Sequence, residues 1–247
     1  MNIVIVGTGY VGLVTGVGFA EQGHTVSFID LDSSKIEKLK NKQLPFFEPD
    51  LDTYFSKKEN FNRMSFHSSY NSLNWDESEI VFICVQTPNN IETNSVDTKF
   101  LESAISEISK LNNKEIVITV KSTIPPYEIE NVCNNVGYDQ ELLTFNPEFL
   151  REGSAVYDFF NPDRIVIGGL NTDKTNKLRK LYESYDAEII ITDPISSQLI
   201  KYLANTYLPM RLSFVNEATR LSDYSGANLV DVLKGCLLYT SDAADDP

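Results

Sequence analysis

The chain opens Met1-Asn2-Ile3-Val4-Ile5-Val6-Gly7-Thr8-Gly9-Tyr10-Val11-Gly12. The first half of this stretch is an apolar, β-branched run that suits a strand buried on both faces. The second half is a Gly-x-Gly-x-x-Gly turn opening a helix. Its first glycine permits a tight bend, its second lets backbone N–H groups approach a pyrophosphate, and its third lets helix and strand pack closely. Gly7, Gly9, Tyr10, Val11 and Gly12 therefore form a candidate phosphate cradle, with helix N-terminal N–H groups facing the anion. A second strand, Thr25–Asp30, ends in an acid at about the ~20-residue spacing from the glycines at which a carboxylate binds a ribose 2′-hydroxyl. A carboxylate there repels a 2′-phosphate, so Asp30 points to NAD rather than NADP as cofactor, with Lys35 near enough to temper the preference.

Moving outward, short apolar runs alternate with amphipathic stretches. Strands are expected at Asn2–Val6, Thr25–Asp30, Ile80–Val85, Ile116–Val120, Leu142–Phe145, Arg164–Ile167 and Glu188–Thr192. Helices are expected at Val11–Gln22, Ser33–Asn41, Lys99–Leu111, Tyr127–Asn134 and Lys174–Tyr185. This alternation predicts a doubly wound α/β (Rossmann) domain with a mostly parallel sheet over residues 1–195. After Asp193-Pro194 the pattern changes. Ser196 or Ser197 can cap a long helix towards Tyr224, with Leu199, Ile200, Leu203, Ala204, Tyr207 and Leu208 at helical spacing. That helix reads as the start of a truncated helical central domain over 196–235, and its exposed apolar face predicts a tendency to associate.

The 247 residues carry a formal net charge of −14, with 42% hydrophobic and 23% charged residues, ordinary for a globular protein. The negative balance argues against nucleic acid as a partner. The N-terminus has neither a basic n-region nor an unbroken apolar span, so no membrane partner and a cytoplasmic location are expected. Three widely spaced cysteines and two histidines build neither a disulfide framework nor a zinc spacing, and no metal is expected.

A dinucleotide fold specifies no reaction; the chemistry must come from strand ends and from the long helix. Thr87-Pro88 closes one strand at the cofactor edge, Lys121-Ser122-Thr123 follows another, and Asn146-Pro147-Glu148-Phe149-Leu150-Arg151-Glu152-Gly153 follows a third. Glu148 and Glu152 can share a helical face at i,i+4 with Arg151 beside them, or mark an acidic surface turn. Lys201 and Asn205 repeat that spacing on the long helix. Lys201 can snorkel to solvent, or the pair can aim a cation and an amide at a developing oxyanion.

These residues carry a resemblance. IVIVGTGYVG, LPFFEPDL, FICVQTP, VKSTIPP, FNPEFLREGSAVYDFFNPDRIVIG and LIKYLANTYLPMRLSFVNEATRLSD together resemble the UDP-glucose/GDP-mannose dehydrogenase family, and NPEFLREGSA and IKYLANTYL are more specific than the glycine turn. The resemblance implies a nucleotide-sugar substrate whose C6 alcohol is oxidised twice, with two NAD⁺ and a cysteine that traps the aldehyde as a thiohemiacetal before a thioester is hydrolysed. It further implies that Thr123 and Glu152 activate water, that Glu148, Phe149, Leu150, Arg151 and Glu152 line the sugar, and that Lys201 and Asn205 stabilise the oxyanion. Val11, Asp30, Lys35, Thr87, Thr123 and Glu152 would contact NAD. A homodimer is implied for the full-length protein. GDP-mannose or a UDP-N-acetylhexosamine stay open as substrates. So do a β-hydroxyacid dehydrogenase, which would need no cysteine, and a non-catalytic nucleotide-binding module.

There are departures from the family's pattern. Ile124-Pro125-Pro126-Tyr127 replaces the commoner Pro-x-Gly turn, leaving the following helix start open. Pro209 cannot donate to the Asn205 carbonyl, which predicts a local kink. Cys236, the one cysteine outside an apolar run or helix, is followed by Leu-Leu-Tyr-Thr instead of the family's Pro-Lys-Asp and is not expected to be the nucleophile. Residues 236–245 are what TGT CTC TTA TAC ACA TCT GAC GCT GCC GAC translates to, which resembles a transposase-type sequencing adapter. Residues 236–247 are accordingly expected to be a non-native tail.

Overall fold

The computed structural model describes residues 1–90, 95–111 and 115–237. The expected tail thus lies, from residue 238 onward, outside the described residues. The strands are β1 (Asn2–Val6), β2 (Thr25–Ile29), β3 (Met64–His67), β4 (Ile80–Ile83), β5 (Asn89–Asn90), β6 (Ser95–Val96), β7 (Val117–Val120), β8 (Leu143–Phe145), β9 (Arg164–Gly169) and β10 (Glu188–Thr192). The helices are α1 (Tyr10–Glu21), α2 (Ser33–Lys40), α3 (Leu51–Ser56), α4 (Lys58–Phe61), α5 (Lys99–Ser109), α6 (Glu128–Val136), α7 (Ala155–Phe160), α8 (Thr172–Leu181), α9 (Pro194–Ser225) and α10 (Leu229–Cys236).

Eight strands form one sheet in the order β10-β9-β8-β7-β4-β1-β2-β3. All pairings are parallel except β8 with β9, which gives the mostly parallel, doubly wound sheet that the alternating pattern predicts. β1 lies between β2 and β4, where the chain turns from building one side of the sheet to building the other. That switch point is where the carboxyl ends of adjacent strands open a crevice for a ligand.

The apolar runs are continuous because both faces are covered. On β1, Ile3 and Ile5 join one core with Phe19, Phe28, Phe82 and Phe159. Val4 and Val6 join the other, with Val81, Ile83, Leu101 and Ile118. Alternate side chains of a strand point to opposite faces, so a strand buried on both sides shows no polar alternation. β3 was not foreseen. Its Met-Ser-Phe-His sequence alternates buried and half-buried positions, and it pairs only with β2 at the sheet edge.

The chain divides into two compact units, residues 1–201 and 202–247. In the second, helix continues on both sides of Pro209. Leu203, Leu208, Leu212 and Leu221 stand exposed there. No helix among the described residues is long and apolar enough to cross a membrane.

Candidate active site

The glycine turn leaves β1 with Gly7 at φ +98°. A Cβ on Gly7 would lie 2.6 Å from the Cys84 carbonyl oxygen at the end of β4, and one on Gly12 would collide with the Gly7 carbonyl. A Cβ on Gly9 would meet nothing within 4 Å. The turn is closed against the sheet and open outward at Gly9. Gly9 is the N-cap of α1 and supplies no side-chain cap, and no acid occupies the first turn of α1. The first N–H groups of that helix have no acceptor within it. An uncapped, unblocked helix N-terminus beside an open glycine is a setting that a pyrophosphate fits.

Asp30 lies at the end of β2. Its Oδ2 accepts from the Thr8 N–H (2.9 Å) and the Thr8 hydroxyl (2.7 Å), and its Oδ1 accepts from the Asp32 N–H (3.0 Å). Lys35 Nζ is 3.7 Å away. The acid is thereby oriented at the switch point, as required of a group that receives ribose hydroxyls. Together the open glycine turn and this oriented carboxylate fit the pyrophosphate and the adjoining ribose of an adenine dinucleotide.

On the other side of the switch point the Thr87 hydroxyl donates to the Thr123 carbonyl (2.8 Å), joining the loops after β4 and β7. The loop after β8 carries Glu148. Its Oε1 accepts from Lys201 Nζ at 2.8 Å and its Oε2 from the Leu150 N–H at 2.7 Å. The two paired side chains are 6% exposed (lysine) and 16% exposed (glutamate). Lys201 Nζ also lies 5.2 Å from the centre of the Phe149 ring, and the Arg164 guanidinium lies 4.1 Å from the same ring.

The structure corrects one expectation. Residues 146–150 have no regular secondary structure, and α7 starts only at Ala155, so Glu148 and Glu152 do not share a helical face. Glu148 bonds its own downstream N–H, a local contact that competes with helix formation, and Gly153 sits at φ +86°, which a helix does not use. Arg151 turns away from Glu148. Its guanidinium grips Asp158 of α7 through Nε (3.1 Å) and one terminal nitrogen (2.6 Å), and that hydrogen-bonded pairing holds the Asp158 carboxyl below its ordinary range. Glu152 is exposed on the turn between. Asn205 lies in the second unit and is exposed.

Beneath these loops is a buried polar cluster that carried no assigned role in the sequence. Lys121 Nζ donates to Asn146 Oδ1 (2.9 Å), which also accepts from the Tyr182 hydroxyl (2.6 Å), while Asn146 Nδ2 donates to the Val166 carbonyl (2.8 Å). Burial pushes the Lys121 ammonium down to about 8 and the neighbouring Cys84 thiol up to about 12. Asn146 is thus fixed two residues before Glu148. The only sequence signal was a lysine directly after an apolar strand. A second omission is Glu48 in Leu44-Pro45-Phe46-Phe47-Glu48-Pro49, an acid between two helices that is 4% exposed.

The sheet order and the open glycine turn at its switch point are those of a dinucleotide-binding, doubly wound domain. Residues 1–186 match the NAD binding domain, and residues 195–241 the central domain, of the UDP-glucose/GDP-mannose dehydrogenase family; the chain belongs to that family. It is 41% identical over 241 residues to UDP-glucose 6-dehydrogenase of Rickettsia bellii, covering 95% of this chain and 55% of the relative. Among solved structures it superposes on a UDP-glucose dehydrogenase from Pyrobaculum islandicum with a TM-score of 0.84 at 31% identity, covering 97% of this chain and 57% of that one. For a GDP-mannose dehydrogenase from Pseudomonas aeruginosa the TM-score is 0.86 at 28% identity, covering 97% and 57%. The chain spans about half the length of the relatives it matches.

Proposed function

We propose that the whole protein oxidises the C6 alcohol of UDP-glucose to the carboxylate in two NAD-dependent steps in the cytoplasm, as a homodimer. The observation that carries this reading is the 2.8 Å pairing of Lys201 with Glu148 at the carboxyl edge of the sheet. NAD, when bound, supplies the acceptor for hydride. Lys201 provides a fixed cation at the reacting oxygen, in a mostly buried place where its charge acts more strongly than in water. Glu148 holds that ammonium in position and, with Phe149 and Leu150, forms the sugar wall. Thr123 and Glu152 orient and activate water, and Asn205 contributes an amide to the oxyanion. The dinucleotide rests on Gly7, Gly9, Val11 and Gly12, with Asp30 on its ribose.

The reaction also requires a reactive thiolate. Cys84 and Cys133 are buried, and burial pushes both thiols up, to about 12 and about 11. Cys236 is exposed at the end of α10 without the expected sequence around it. We therefore expect no turnover from this chain by itself.

The test is recovery of the complete reading frame and an assay of the purified product against UDP-glucose, GDP-mannose and UDP-N-acetylmannosamine. Two NADH per UDP-glucose, with the other sugars much slower, is the expected result. One NADH per sugar would overturn the two-step reading, and a preference for GDP-mannose would overturn the substrate.

A further inference from the structure

Glu48 lies outside the loops that carry the proposed chemistry, yet its carboxylate joins two segments of the candidate site, the glycine turn and the Arg151–Ala155 turn. Oε2 accepts from the Tyr10 hydroxyl (3.1 Å) and from the Gly153 N–H (3.0 Å), and Oε1 accepts from the Ala155 N–H (2.8 Å). Ala155 is the first residue of α7, whose N-cap Ser154 makes no side-chain cap. Glu48 therefore does from a distance what an N-cap side chain usually does locally: it places an acceptor and a negative charge at a helix N-terminus. Tyr10 is the first residue of α1, inside the glycine turn. Its ring packs against Phe46 with centroids 5.6 Å apart, and its hydroxyl also lies 3.0 Å from the Arg151 carbonyl. The turn bearing Glu152 is thus bonded, through one buried carboxylate and one phenol, to the residue whose backbone opens the phosphate cradle.

We propose that the Tyr10 phenol and Glu48 together form a positioning link that couples occupancy of the glycine turn to the placement of the Arg151–Ala155 turn, and hence of Glu152. The phenol reaches that turn directly at the Arg151 carbonyl and through Glu48 at Gly153 and Ala155. This rests on the NAD reading above. Movement of the α1 N-terminus towards a pyrophosphate pulls on the Tyr10 hydroxyl. Glu48 passes the displacement to Gly153 and Ala155, because a buried carboxylate cannot abandon its donors without leaving them unsatisfied.

Amide hydrogen exchange of this chain with and without saturating NAD⁺ tests the coupling. In the unaltered chain NAD⁺ is expected to slow exchange both in residues 8–12 and in residues 151–155. Tyr10→Phe removes one hydroxyl and leaves the cap on α7. With saturating NAD⁺ it should keep the slowing at 8–12 and lose it at 151–155. Glu48→Gln turns one acceptor into a donor and should speed exchange at 153–155 even without NAD⁺. A Tyr10–Glu48 link that serves only to hold the fold would leave 151–155 indifferent to NAD⁺ in the unaltered chain. Slowing at 151–155 that persists in Tyr10→Phe would show direct contact with the dinucleotide; either result overturns the coupling alone. No slowing anywhere in the unaltered chain would overturn the cofactor reading and, with it, this inference.

Discussion

Two carboxylates mark the two ends of the candidate site, and they are held by different means. Asp30 is fixed by neutral donors from its own βαβ unit, Thr8 and Asp32, with a half-exposed lysine at the margin. Glu148 is fixed by an ammonium from a helix 53 residues further on and by the Leu150 N–H, in a mostly buried setting. Neutral hydrogen bonds within one unit survive the loss of any one member at modest cost. A buried ion pair does not, because removing one partner strands the other charge away from water. The Asp30 end is held within one βαβ unit, whereas the Glu148 end, proposed to face substrate, exists only once the tertiary fold has brought Lys201 to the loop after β8.

The largest effect that can break this contrast comes from Lys201→Met. It should lower the unfolding free energy by about 3 kcal/mol in urea titrations, with most of that loss recovered in the Lys201→Met, Glu148→Gln double variant. A loss equal in single and double variants would show that the pair is not the unit of stability. Lys121→Met probes the Glu148 loop from beneath. The folded protein holds this ammonium at about 8 against an ordinary 10.5, so between those pH values the unfolded chain binds more protons and stability rises with pH. The stability of the unaltered chain relative to Lys121→Met should therefore climb across pH 8 to 10.5 by on the order of 3 kcal/mol. A flat difference would mean that Lys121 is solvated.

At the dinucleotide end the effects are smaller and divide by position. Gly7→Ala places a Cβ at φ +98° against the Cys84 carbonyl and should cost about 2 kcal/mol of stability. Gly9→Ala meets nothing, so its melting should stay within about 0.5 kcal/mol of the unaltered chain. NAD⁺ affinity, read by calorimetry, should nevertheless fall for Gly9→Ala, because the new methyl group stands where the pyrophosphate approaches. Equal affinity in Gly9→Ala would place the phosphates elsewhere.

The same division explains what could be read in advance. β1, α1, β2 and Asp30 are legible because turn, strand and acid lie within about 30 residues, at the spacings a phosphate and a ribose impose. β1 and β10 match their expected bounds, since apolar runs bounded by turn residues leave little freedom. Edge strand β3 escaped because Met64–His67 is short and half polar. The Glu148–Glu152 stretch looked helical by spacing alone. What decides it is Glu148 bonding its own loop, Arg151 turning to Asp158, and Gly153 at positive φ, and none of these shows in a periodicity. Glu48 and the Lys121–Asn146–Tyr182 cluster were illegible for a stronger reason. Their meaning lies in partners up to 107 residues away, and an acid or lysine beside apolar residues announces no partner.

The proposed function requires these two differently built ends to meet at one place. A crystal structure of this chain soaked with NAD⁺ tests it most directly. The pyrophosphate is expected against the Gly9 face of the turn and the nicotinamide ring beside the Lys201–Glu148 pair, with room for a sugar carbon at a reactive separation of about 3–3.5 Å. A nicotinamide ring on the far side of the switch point, out of reach of both side chains, would contradict it.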